Sequence, residues 1–225
     1  MRFLVVQHDS DKGLGLLEQP LRDAGAELDV RLAGRDPVEL DGHAAVVALP
    51  GLANPEDGTV AVDETREALR AAFRRGVPAL GICLGAELLA EAAGGRVRPC
   101  PPEYGYFRVA VEPAAALDPL LGGLPAEIEA FQAHSFAVEL PPEAVALARS
   151  EHAVQAFRLG ERSWGIQFHP EPTLEMLESW LRTIEPVMRR NGVDPAGTAE
   201  RAREQVPLWA ERAARIARAF AEVPT

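Results

Sequence analysis

Cys83 is the side chain in this sequence best placed for nucleophilic chemistry. It lies in Gly81-Ile82-Cys83-Leu84-Gly85, between an apolar run and a segment of helical composition. Glycines on both sides permit a sharp strand-to-helix turn, so this G-x-C-x-G pattern predicts a nucleophile elbow. Because a thiol at a helix N-terminus is favoured as thiolate, we expect Cys83 to be more acidic than a free cysteine. The alternative is a buried core cysteine between small residues.

A second group of reactive residues, His169-Pro170-Glu171, directly follows the apolar run Trp164 to Phe168. A thiolate nucleophile needs a base, and the base needs an orienting partner, so His169 and Glu171 are candidates for these two roles. The spacing of the five histidines and two cysteines does not resemble a zinc site, and no metal is expected. His8, His43 and His152 lie outside any motif, and Cys100 between two prolines is expected to be structural or incidental.

Taken together, the segments around Cys83 and His169 closely resemble the class I glutamine amidotransferases. Weaker similarity extends over residues 1–190, and the arrangement is most similar to the free-standing, GMP-synthase-like members. The segments that carry this weaker similarity are Pro50-Gly51, Glu103-Tyr104-Gly105-Tyr106, His134-Ser135 and Val154-Gln155-Ala156-Phe157.

The resemblance implies hydrolysis of glutamine, or a related γ-glutamyl amide, to glutamate and ammonia through a thioester on Cys83. It implies that His169 and Glu171 complete a catalytic triad and that the backbone N–H groups of Gly51 and Leu84 form an oxyanion hole. It implies no metal or organic cofactor. The sequence contains no P-loop, so a separate synthetase subunit is the expected partner for any ammonia that is passed on.

Two positions depart from the family pattern. Glu87 stands where the family usually has a substrate-contacting glutamine, and Leu52 follows Gly51 in a loop that often reads Gly-Gly-Pro or Gly-Ser-Pro. Glu87 is therefore a substrate-binding residue that faces the α-ammonium group or repels the α-carboxylate, or it is a solvated first-turn acid. Ser135 either binds the amino-acid end of the substrate or is a strand-end hydroxyl. Two other functions stay open: a γ-glutamyl hydrolase or transferase acting on a non-glutamine amide, and a catalytically retired fold that acts as a binding protein.

The elements around these residues predict an α/β fold with an open, mostly parallel sheet flanked by helices, of the flavodoxin-like type. Apolar runs at 2–7, 28–32, 44–49 and 78–83 alternate with helical patterns at 14–24, 63–75 and 85–94. In the second half, short runs broken by Pro and Gly predict a smaller antiparallel portion, and a helix is expected at 173–190. Those runs are 106–111, 135–140, 145–149, 154–159 and 164–168.

We expect an amidotransferase domain over residues 1–190 and a C-terminal helical extension, 191–225, packed on it. An apolar stripe over residues 194–221 predicts an amphipathic helix that either packs on the core or contacts a partner. The net charge of −11 without a basic run disfavours nucleic acid and membrane as partners. The first apolar run is too short for a signal peptide or a membrane span, so a cytoplasmic protein is expected.

Overall fold

The computed structural model describes residues 1–224, so the last residue of the predicted extension, 225, lies outside the described residues. A 3₁₀ turn at Gly15–Leu17 leads into the first α-helix. The strands are β1 Arg2–Gln7, β2 Glu27–Leu32, β3 Ala45–Ala48, β4 Ala79–Ile82, β5 Arg96–Val111, β6 Glu127–Glu139, β7 Val145–Arg149, β8 Val154–Leu159 and β9 Ser163–Ile166. The helices are α1 Glu18–Asp23, α2 Val60–Arg75, α3 Leu84–Ala92, α4 Leu174–Arg190 and α5 Pro195–Ala221.

Within residues 1–224 a single nine-stranded sheet has the order β2-β1-β3-β4-β9-β8-β7-β5-β6. The strands from β2 to β9 pair in parallel. The strands from β9 through β8 and β7 to β5 and β6 pair antiparallel. The predicted fold class is therefore confirmed, and β9 is the strand at which the parallel and antiparallel portions meet.

The element boundaries differ most from the predicted ones at three places. The strand predicted at 135–140 is the end of the longer strand β6, which begins at Glu127. The helix predicted at 14–24 is divided into the 3₁₀ turn and the short helix α1. The strand predicted at 106–111 begins at Arg96, because β5 tolerates its three prolines by an irregularity in its pairing with β6 between Pro99 and Glu103. A proline lacks the N–H that a strand donates, which is why the sequence pattern does not predict a strand at this stretch.

Helices cover both faces of the parallel portion. Alternate residues of β1 face opposite ways, with Phe3 in the cluster that contains α1 and α5 and Leu4 in the cluster that contains α2 and α3. The α5 stripe is buried at Trp209, Ala213, Ile216 and Phe220, and the Phe220 ring lies 5.8 Å from that of Phe3. The stripe thus packs on the core.

No helix within residues 1–224 is long and apolar enough to cross a bilayer.

Candidate active site

Cys83 occupies the turn between β4 and α3 in a conformation that L-residues rarely adopt. Its φ of 50° and ψ of −111° make it the one non-glycine residue with positive φ in the part of the chain that the structure describes. A Cβ on Gly85 would lie 2.2 Å from the Ala48 carbonyl oxygen, and one on Gly81 would lie 2.3 Å from that of Gly85. Both flanking glycines are therefore required by close backbone approach, as the predicted elbow demands.

His169 is held by a buried carboxylate. Its Nδ1 lies 2.8 Å from Glu171 Oε1, and Glu171 is fully buried. The backbone N–H of His169 donates to the Phe131 carbonyl oxygen at 2.9 Å, and the Trp180 ring packs against the imidazole with 5.3 Å between centroids. With Nδ1 as the donor to this carboxylate, the neutral form of the imidazole has its lone pair on Nε2. Among the described residues this buried Nε2 has no hydrogen-bond partner.

A cavity of about 300 Å³ brings together six of the seven predicted site residues. Those that line it are Gly51, Cys83, Leu84, Glu87, Ser135 and His169, while Glu171 lies behind the imidazole. The loop that carries Gly51 packs directly on the elbow, since a Cβ on Gly51 would lie 2.8 Å from Leu84 Cδ2. The two residues predicted to supply oxyanion donors are thus neighbours at one wall of the cavity.

The expected acidity of Cys83 is wrong for the free protein. Burial raises the pKa of its thiol well above the ordinary value, and the carboxylates of Glu87, once this residue is ionised, and of Glu171 raise it further. The Leu84 N–H and Lys12 act in the opposite direction but do not compensate. The helix N-terminus is a local feature visible in the sequence, whereas the burial and the Glu171 carboxylate that oppose it are brought by the tertiary fold.

Glu87 is not a solvated first-turn acid, because it is only 4% exposed. Gln167 donates from Nε2 to Glu87 Oε1 at 3.0 Å. Burial raises the pKa of the Glu87 carboxyl to about 8, with Glu91 contributing in the same direction and the Gln167 hydrogen bond opposing. Glu87 is consequently mostly protonated and neutral at neutral pH.

Lys12 and Trp180 are cavity residues that sequence reasoning did not assign to the site. The Lys12 ammonium is 5.8 Å from the centroid of the Trp180 ring, and it forms ion pairs with Asp9 at 3.6 Å and Asp11 at 3.0 Å. Asp9 also accepts from the backbone N–H of Leu52 at 2.8 Å, so this cluster fixes the loop that carries Gly51. The available sequence signal was that Lys12 is the only lysine in the chain.

A buried polar network lies next to Ser135. The neighbouring His134 places Nε2 3.1 Å from Glu103 Oε2 and Nδ1 2.9 Å from the Phe136 carbonyl oxygen. Ser150 donates to the same Glu103 oxygen at 2.8 Å. This network ties β5, β6 and the β7–β8 turn together beside the cavity. The unassigned His8 and His43 lie elsewhere, where the Nε2 atoms of their rings contact Thr65 and Asp29, respectively.

The fold and the site together define a class: an α/β protein with a cysteine at a strand-to-helix elbow and a histidine–carboxylate pair facing the same cavity. The family model described as Glutamine amidotransferase class-I matches residues 11–182. The chain belongs to this family.

Relatives and a solved structure agree with this assignment. The chain is 43% identical over 98 residues to GMP synthase [glutamine-hydrolyzing] of Thermomicrobium roseum, a match that covers 43% of this chain and 18% of that protein. It is 44% identical over 99 residues to one subunit of the GMP synthase [glutamine-hydrolyzing] of Sulfolobus acidocaldarius, covering 42% of this chain and 51% of that one. The matches therefore span about half the length of these relatives or less.

The solved structure of a glutamine amido transferase from Methylobacillus flagellatus superposes with a TM-score of 0.88 at 25% identity, covering 100% of this chain and 95% of that one.

Proposed function

We propose that the protein hydrolyses the γ-carboxamide of glutamine to glutamate and ammonia, with Cys83 as nucleophile, His169 as base and Glu171 as its orienting partner. The observation that carries this proposal is the pairing of a strained elbow cysteine with an imidazole in one cavity. The imidazole's Nδ1 faces a buried carboxylate and its Nε2 is free to accept a proton.

The first chemical step follows from the protonation state of the site. Because burial raises the pKa of the Cys83 thiol, the resting group is the neutral thiol, and its proton passes to His169 Nε2 as Sγ attacks the amide carbon. Glu171 stabilises the resulting imidazolium through Nδ1. The developing oxyanion is stabilised by the backbone N–H groups that we assign to Gly51 and Leu84.

The second half of the reaction returns every group to its starting state. The imidazolium gives its proton to the departing nitrogen, the carbon–nitrogen bond breaks, and ammonia leaves a thioester on Cys83. A water molecule, deprotonated by His169, then attacks the thioester carbon. Glutamate leaves as the carbon–sulfur bond breaks, and Sγ regains a proton from His169.

The test is release of glutamate and ammonia from glutamine by the purified chain, with Cys83→Ala as control. Equal release by the wild type and Cys83→Ala would contradict the proposal. Labelling of Cys83 by a thiol reagent, measured by mass spectrometry, reports whether the site is assembled in a chain that shows no turnover.

A γ-glutamyl amide with a larger amine is a second candidate substrate, favoured by the outer part of the cavity. There α4 and the Gly51 loop supply a largely apolar wall, in which Leu52, Ile184 and Val187 take part. Ammonia is too small to need such a wall, whereas the amine of a substituted amide would contact it. A panel of γ-glutamyl alkylamides assayed beside glutamine separates the two, because a higher Cys83-dependent kcat/KM for the alkylamides would reassign the substrate.

We also propose that the ammonia is passed to a separate synthetase subunit. Support comes from the Sulfolobus acidocaldarius relative, which is named as one subunit of a GMP synthase. Full turnover by the isolated chain, at a rate that a co-expressed synthetase subunit does not change, would argue against this partnership.

A further inference from the structure

Glu87 lies at the centre of the site in a position to touch the substrate. It is in the first turn of α3, and Cys83 is the N-cap residue of the same helix. It lines the same cavity as Cys83, His134 and Ser135 while remaining 4% exposed. A substrate whose amide carbon meets Cys83 would extend along this wall.

No cation compensates a negative charge at this position. Within residues 1–224 the hydrogen-bond partner of the Glu87 carboxyl group is the neutral Gln167 amide, and no basic side chain forms an ion pair with it. The next acid along the helix, Glu91, differs because Arg66 of α2 donates to it at 3.0 Å. A buried carboxylate without a counter-charge is unfavourable, and the carboxyl group instead keeps its proton.

Titratable groups from several elements surround Glu87. Among the acids and thiols, from α3 and β5, Glu91 raises the pKa of the Glu87 carboxyl group, and the ionised form of Glu87 raises the pKa of the Cys83 and Cys100 thiols. The basic groups, from β6 and two loops, line the same cavity without pairing with it. These groups are Cys83, Glu91 and Cys100 on the one hand, and His134, His169 and Lys12 on the other.

A protonated carboxyl group has the hydrogen-bonding pattern of a primary amide. It offers one donor, the O–H, and one carbonyl acceptor, where a glutamine side chain offers N–H donors and a carbonyl acceptor. Oε1 of Glu87 already acts as the acceptor, for the hydrogen bond that the Gln167 amide donates. The remaining oxygen, with its proton, is left to donate into the cavity.

We infer that Glu87 recognises the amino-acid end of the substrate as an uncharged acid, donating its proton to the substrate α-carboxylate, and that ionisation of Glu87 weakens substrate binding. The inference rests on the proposed function. It makes Glu87 a specificity residue that works only in its protonated form. An ionised Glu87 would face the α-carboxylate as a like charge and would also disfavour the Cys83 thiolate, so both binding and chemistry weaken as pH rises.

The alternative, in which Glu87 binds the substrate as a carboxylate, gives a pH dependence of substrate binding with the opposite sign. If an ionised Glu87 paired with the substrate α-ammonium group, binding would tighten as the carboxyl group lost its proton. The direction of the pH dependence therefore distinguishes the two, and Glu87→Gln is the matched control because it keeps the donor and acceptor but cannot ionise.

The experiment is calorimetric titration of glutamine into Cys83→Ala and into the double variant Cys83→Ala/Glu87→Gln, at about pH 7 and about pH 9. For a group that ionises near pH 8 and binds only when protonated, the dissociation constant rises about tenfold by about pH 9. We expect this rise in Cys83→Ala beyond whatever the double variant shows. Ammonia release by the Cys83-containing pair should show the same contrast in KM.

The inference is overturned by an equal pH dependence in the two proteins or by tighter binding at the higher pH in Cys83→Ala. Either result combined with Cys83-dependent ammonia release would leave the proposed function intact. Absence of glutamine binding in both proteins together with absence of ammonia release would instead overturn the proposed function, and the inference with it. Melting temperatures of all variants at both pH values check that each protein is folded.

Discussion

Glu87→Gln should stabilise the fold progressively as pH rises. In the folded protein burial raises the pKa of this carboxyl group from its ordinary 4.5 to about 8. In the unfolded chain the group loses its proton near 4.5, so between these two values the unfolded state binds fewer protons than the folded state. Stability from this group is therefore fully present below about pH 4.5 and is lost as pH rises to about 8. A glutamine at position 87 removes this loss.

The size of this stability change follows from the same two pKa values of Glu87, 4.5 in the unfolded chain and about 8 in the folded protein. At about 1.4 kcal/mol per pH unit, the whole window corresponds to about 5 kcal/mol, which is an upper limit. Between about pH 5 and about pH 7, the free energy of unfolding of Glu87→Gln relative to wild type should increase by about 2–3 kcal/mol. The carbonyl oxygen of the new amide can still accept the hydrogen bond from Gln167, so this interaction is retained.

Urea unfolding at a series of pH values, followed by far-UV circular dichroism, measures this difference directly. Glu143→Gln is the control, since Glu143 is exposed and its removal should change stability by about 0.5 kcal/mol or less. A difference between Glu87→Gln and wild type that stays constant across the series would refute the reasoning, because it would mean that Glu87 is already ionised in the folded protein at neutral pH.

Three further outcomes are expected. Gly85→Ala should lower the free energy of unfolding in urea by about 3 kcal/mol or more, because the new Cβ would lie 2.2 Å from the Ala48 carbonyl oxygen. Gly13→Ala, whose new Cβ has open space around it, should unfold like wild type. Glu171→Gln should lower kcat for glutamine by about 10²–10⁴-fold with Cys83 still open to thiol labelling, and a kcat close to wild type would remove Glu171 from the mechanism. Trp209→Ala should cost about 3–5 kcal/mol of stability in urea unfolding, and a loss no larger than that of exposed Leu208→Ala would contradict the packing role of α5.

The parts of the site that a local pattern encodes were predictable from the sequence. The elbow at Cys83 depends on glycines two residues away on each side, and the histidine–carboxylate pair lies within three consecutive residues. Alternation of apolar runs with helical patterns predicted the parallel half of the sheet, because each buried strand is a continuous apolar segment. The start of β5 was not predictable in this way because its prolines are typical of loops.

The remaining features arise from contacts distant in sequence. Gln167 reaches Glu87 across 80 residues, and Trp180 meets the residues around Lys12 from the far end of the chain. The protonation states of Cys83 and Glu87 follow mainly from burial, which no local spacing specifies. The sequence therefore indicated the residues that local motifs mark, but not Lys12 and Trp180, and not the protonation states of Cys83 and Glu87.

The contact between Phe3 and Phe220 has a consequence for how the protein is made. One apolar face of β1 packs against α1, which follows it closely in the chain, and against α5, which is synthesised much later. During synthesis the part of that face that α5 covers stays exposed until α5 has emerged, because N-terminal segments are made first. Closure of this layer is therefore expected to be a late event in folding. The nascent chain should depend more on chaperones than a chain whose early strands are covered entirely by the helices that directly follow them.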